Sequence, residues 1–83
     1  MEGTRVELFA VEDSTSPGGY HYRFQYYTPD EGEEILRYDN GHASAVGLHH
    51  RHEGDELTGI TFEGLHDHVA RFRQEVLEIN ARR

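Results

Sequence analysis

The sequence predicts an α+β fold, an antiparallel β-sheet of four to five strands packed by one C-terminal α-helix. Three observations point there. Short runs in the first part of the chain alternate apolar and polar residues, Gly-, Pro- and Asp-rich clusters separate those runs, and the C-terminal stretch changes to a spacing of three and four. With 83 residues the chain is read as one small domain, 1–83, and a domain of that size buries roughly 60 to 65% of its unfolded surface. The core is therefore thin, and nine aromatics (five Tyr, four Phe) have to supply much of it.

The first strand is expected over 5–11, where Val6, Leu8 and Ala10 share one face and Arg5 and Glu7 the other. A turn-rich connector at 13–19 follows, Asp-Ser-Thr-Ser-Pro-Gly-Gly. The strand over 20–27 is the clearest, because Tyr20, Tyr22, Phe24 and Tyr26 alternate with His21, Arg23, Gln25 and Tyr27; the aromatic row is read as core. An acidic turn at 28–32 leads to a hairpin partner over 33–39, with Leu36 and Tyr38 on one side and Ile35, Arg37 and Asp39 on the other. After a loop at 40–47 a fourth strand is expected over 48–53, placing Leu48, His50 and His52 on one face, with Leu48 read as core, and His49, Arg51 and Glu53 on the other. A short fifth strand spans 56–60. The helix is expected over 62–80, with Phe62, Leu65, Val69, Phe72, Val76 and Ile79 as its buried stripe, Thr61 as its cap, and His66 and His68 on the surface.

Sixteen acidic residues stand against eight basic ones, all Arg, for a net charge of -8. That balance opposes broad electrostatic capture of nucleic acid, which needs basic side chains to release counterions. High acid content without Lys fits a halophile, because molar salt screens the acids within about 3 Å. Without cysteine there are no disulfides and no thiolate metal sites. No apolar run approaches the ~20 residues that cross a bilayer, and the N-terminus has neither a basic nor an apolar leader segment, so the expected location is the cytoplasm, with no membrane partner.

The chemistry concentrates in Arg37-Tyr-Asp-Asn-Gly-His-Ala-Ser-Ala-Val-Gly-Leu-His-His-Arg-His52, which holds four of the seven histidines. If the strand carrying Arg37 and Asp39 pairs with the one carrying His50 and His52, the two segments lie within a cross-strand contact of roughly 5 Å. Imidazoles have reference pKa values near 6.5, so one can accept a proton while another donates one. Arg37 or Arg51 can bind a phosphate in bidentate fashion, and Asp39 can orient an imidazole. Together with His42 in the loop, Arg37, Asp39, His50 and His52 are the candidate catalytic residues, sufficient for metal-free cleavage of RNA by an attacking 2′-hydroxyl. The competing assignment needs a divalent metal such as Zn, held by His50 and His52 with His42 or Asp39 as third ligand. In a third, the cluster is a pH- or partner-sensing surface with no chemistry. His49 points away and is read as a spectator.

The elements RYDN, a His two residues after Asn40, and the returning HHRH resemble the TumE family of prokaryotic toxin-antitoxin proteins and the small haloarchaeal proteins akin to it. Arg37, Asp39, Asn40, His42, His50 and His52 match the family pattern. Two features depart from it: the loop 43–47 lacks the usual Pro-rich stretch, and Arg51 replaces a Lys between the paired histidines. The resemblance implies a toxin of a two-component module, with a cognate antitoxin as partner and RNA or a nucleotide as the target. A homodimer is compatible with it. The metal-free assignment needs no cofactor, and the competing one takes a divalent metal such as Zn.

Overall fold

The structure, a computed structural model, describes residues 3–41 and 45–83. Strands β1 (Arg5–Glu12), β2 (Tyr20–Thr28), β3 (Glu33–Asp39), β4 (His50–Glu53) and β5 (Glu56–Gly59) precede one helix, α1 (Leu65–Arg82). They form a single five-stranded sheet in the order β1-β2-β3-β4-β5 with every neighbour antiparallel, as a chain of short connections dictates. The α+β arrangement expected from the periodicities is the one observed.

Alternation along β2 sorts its residues as the sequence suggested. Tyr22, Phe24 and Tyr26 are fully buried under the helix, while His21 and Arg23 face outward. From β3, Leu36 and Tyr38 join them, and Phe72, Val76 and Ile79 close the core from α1. Phe72 seats its ring against Phe24 and Tyr38 at 5.6 and 4.9 Å, both near edge-on, the geometry that aromatic quadrupoles favour. The sheet shifts register between Tyr26 and Tyr27, and beside that irregularity β3 buries Ile35 as well as Leu36. Polar groups tie the layers: the Tyr38 hydroxyl donates to Glu75 Oε1 at 2.8 Å, and Arg51 pairs with the same carboxylate at 2.7 Å. Burial pushes the Glu75 carboxyl up, but hydrogen bonds from Arg51 and Tyr38 outweigh it and hold its pKa below the usual range.

Several expectations need correction. The helix begins at Leu65, not at residue 62, because Gly64 occupies the N-cap at φ 106, a conformation that side chains avoid; Thr61 is not the cap. It runs on to Arg82 rather than ending at 80. Phe62 still packs against the core from the connection before the helix. Strand β4 starts at His50 instead of 48, and Leu48 is 54% exposed rather than core. Of the expected inner face of β1 only Val6 packs on the core, since α1 lies over the strands to one side and leaves Leu8 exposed. His68 is not a surface residue. It sits four positions before Phe72 on the same helical face, and is buried among the rings of Tyr22, Phe24, Tyr38 and Phe62. His66, by contrast, is exposed as expected.

The segment leading into β4 folds back over β5, and a Cβ placed on Gly59 would collide with the Val46 carbonyl. Gly59→Ala is therefore expected to lower stability by on the order of 1–3 kcal/mol. Urea unfolding followed by circular dichroism measures the shift.

Candidate active site on the open face of the sheet

With the helix on one side, the other face of the sheet is uncovered, and pairing sets what stands there. Arg37 lies opposite His52, and Asp39 opposite His50, so all four project outward from adjoining strands. Continuing each row across β2 and β1 adds Gln25 and Glu7 to the first and Arg23 and Phe9 to the second. The cross-strand meeting anticipated from the sequence is thus realised for Arg37, Asp39, His50 and His52.

Asp39 is the hub. Its Oδ1 lies 3.0 Å from His50 Nδ1, and its Oδ2 lies 2.8 Å from Arg37 Nε and 3.7 Å from His52 Nε2. The Arg37 Nε–H is buried and does not point at the carboxylate, so that short contact acts as an ion pair rather than as a directed hydrogen bond. Arg37 also reaches Glu34 Oε2 at 3.3 Å, and Gln25 donates to the same oxygen at 2.9 Å. Glu34, near the start of β3, thus helps hold the guanidinium.

The two histidines differ in their surroundings. His50 is buried; its Nδ1 meets Asp39 and its Nε2 meets the Gly47 carbonyl at 2.8 Å. Both partners are acceptors, so the two bonds form together only when both ring nitrogens carry protons. His52 has a quarter of its side chain exposed. Arg37 Nη2 lies 3.2 Å from its Nε2, and a guanidinium can only donate, so His52 accepts as a neutral imidazole. Burial, and then the charge of Arg37, hold the His52 pKa below 6.5 against the opposing pull of Asp39 and Glu34. The two imidazoles, two residues apart on β4, thus differ in their surroundings: His50 is engaged at both ring nitrogens, and His52 is partly exposed and held neutral.

The loop between β3 and β4 is secured at both ends. Asn40 is buried; its Oδ1 accepts from the Tyr22 backbone N–H at 3.1 Å, and its Nδ2 donates to the Tyr20 and Pro17 carbonyls at 2.6 and 3.1 Å. At the other end His50 holds Gly47. His42 lies between these anchors but outside the described residues. A family model described as Toxin TumE matches residues 1–80. The chain belongs to the TumE toxin family. Comparison with curated proteins and with solved structures gives no match.

In this TumE-family chain the residues that carry the family resemblance therefore divide by role in the fold. Arg37, Asp39, His50 and His52 converge on the open face, and Asn40 is a structural clamp beneath it. Arg51 does not join them. It projects to the helix side, bonded to Glu75 and Glu53, and those two carboxylates raise its already high pKa. His49 points away from the group, as expected, but is no idle surface residue: its Nδ1 meets the Tyr22 hydroxyl at 2.9 Å and its ring stacks on Phe62 at 4.9 Å. Burial lowers its pKa. Among the described residues Asp39, His50 and His52 each offer a ligand atom within 4.8 Å of the others and could together hold a metal; His42 lies outside the described residues. As a toxin family, TumE carries with it a cognate antitoxin as partner. No helix among the described residues is long and apolar enough to cross a membrane. Sequence reasoning missed Phe9, His21 and Arg23, which with Arg37, Asp39 and Gly41 line a cleft of about 500 Å³ on this face. The signal was available in the alternation of β2, whose outward residues were read only as the reverse of its aromatic row.

Proposed function

We propose that this TumE-family toxin cleaves RNA without a metal, through attack of a 2′-hydroxyl on the adjoining phosphate. The observation that carries the reading is His52, a partly exposed imidazole held neutral beside a guanidinium. In the proposed reaction His52 takes the proton from the 2′-hydroxyl as its oxygen bonds to phosphorus. Arg37 faces the non-bridging oxygens and stabilises the charge that builds on them. The bond from phosphorus to the 5′-oxygen breaks, and His42 donates a proton to that leaving oxygen. Asp39 positions Arg37 and His50, and His50 positions the loop. Arg51 has no place in this scheme, because its charge is spent on Glu75 and Glu53 on the other face.

A second reading, a divalent metal on Asp39, His50 and His52, is favoured by the closeness of their donor atoms. It would require the His50 Nδ1 proton to leave and Arg37 to withdraw from Asp39, which is why the metal-free reading is preferred. Purified protein incubated with single-stranded RNA in excess EDTA decides between them. Undiminished cleavage supports the metal-free reaction. Absence of cleavage together with saturable binding of one equivalent of Zn would replace it with the second reading.

A further inference from the structure

Beside the residues just described, the open face carries a cleft that the proposed reaction does not use. Its far wall is Phe9 of β1, about half exposed, with the His21 ring set edge-on at 6.1 Å. Its near wall is Arg37 and Asp39. Arg23 stands between, directly across from Phe9 on one strand and from Asp39 on the other. Among the described residues the Arg23 side chain has neither an ion pair nor a hydrogen bond, although Asp39 is its cross-strand neighbour; the Asp39 carboxylate is engaged by Arg37 and His50.

We infer that this cleft is a nucleotide subsite: one unpaired base of a single-stranded RNA stacks on Phe9 and His21, and an adjoining backbone phosphate lies between Arg23 and Arg37. The inference rests on the ribonuclease reading for its substrate class and adds the place where the strand is held. Three features favour RNA as the occupant. An exposed aromatic ring offers a base a stacking surface that tolerates any sequence. Among the described residues no carboxylate pairs with the Arg23 guanidinium, which leaves it open to a phosphate. The row Phe9–Arg23–Asp39–His50 crosses the strands at about 4.8 Å per step, so a strand of RNA lying along it leads from the stacking wall toward Arg37 and His52. On this face Arg5, Arg23 and Arg37 stand against Glu7, Glu34 and Asp39, so the acidic excess of the whole chain is not carried here.

The test separates binding from cleavage. A short fluorescein-labelled single-stranded RNA of mixed sequence, methylated at every 2′-oxygen, cannot undergo the proposed attack, so anisotropy reports affinity alone. Phe9→Leu keeps an apolar strand residue but removes the ring, and Arg23→Gln removes the charge. Each is expected to weaken binding about tenfold with an unchanged thermal midpoint. Arg23→Gln should also make the salt dependence shallower by about one phosphate contact. Wild-type affinity in both variants overturns the subsite, and leaves the ribonuclease reading standing if the wild type cleaves unmethylated RNA. Weakened binding in both variants, with no cleavage of unmethylated RNA by the wild type, supports the subsite while removing the reaction. Equal losses on double-stranded RNA, whose bases are not free to stack, overturn the assignment of Phe9.

Discussion

His52→Ala is expected to slow RNA cleavage by about 100- to 10,000-fold, the range that loss of a general base produces. Its thermal midpoint should stay near that of the wild type, since a quarter of the side chain is exposed and its main contact is to Arg37, which keeps Asp39 and Glu34. The contrast with His50→Ala is informative. That substitution removes a buried ring bonded at both nitrogens, so it should lower the midpoint as well as the rate. The pH dependence follows from the same geometry. Burial and Arg37 hold the His52 pKa below 6.5, so the acid limb of kcat/KM in the wild type should fall below pH 6.5 rather than at it. Rates measured across that range, with unfolding monitored in parallel, check both statements.

The second large effect concerns stability in acid. His68 is 2% exposed, its Nε2 has no hydrogen-bond partner among the described residues, and burial, with lesser contributions from His49 and Arg71, lowers its pKa to about 4. The unfolded chain binds this proton near pH 6.5 while the folded chain resists it down to about pH 4. The stabilisation is therefore complete above pH 6.5, is lost as pH falls through that window, and amounts to roughly 3 kcal/mol in all. For an 83-residue domain with a thin core this is a large share of the total. His68→Phe should raise the midpoint at neutral pH, because it removes an unpaired buried nitrogen, and should flatten most of the slope between pH 6.5 and 4. His49 and His52, whose pKa values are also lowered, leave a residual slope. Thermal melts at intervals of pH measure it.

The fold was legible where side-chain period alone decides. Alternation in β2 and β3 placed Tyr22, Phe24, Tyr26, Leu36 and Tyr38 inside and Arg37 and Asp39 outside, and the same rule put His50 and His52 beside them once the two strands pair. It failed where a tertiary contact overrides local pattern. His68 was hidden because a polar residue on an apolar stripe looks like its edge, whereas the surrounding aromatic rings make it the centre. Leu48 was taken for core because the bond from His50 to the Gly47 carbonyl, which precedes the start of β4, cannot be seen in a sequence. The Phe9 and Arg23 cleft depends on the register between β1 and β2, set by the turn at 13–19, and no residue type announces that register. Arg51 was assigned to phosphate on its charge, and its partner Glu75 lies on an element far along the chain.

In the proposed reaction the open face directs attack by the neighbouring 2′-hydroxyl, using imidazoles and a guanidinium. The most direct measurement is the chemistry of the cut ends, read by mass spectrometry on a defined single-stranded RNA cleaved by the purified protein in EDTA. A 2′,3′-cyclic phosphate on one fragment and a 5′-hydroxyl on the other is the predicted result. Ends bearing a 3′-hydroxyl and a 5′-phosphate would mean that water attacked instead, and would contradict the account.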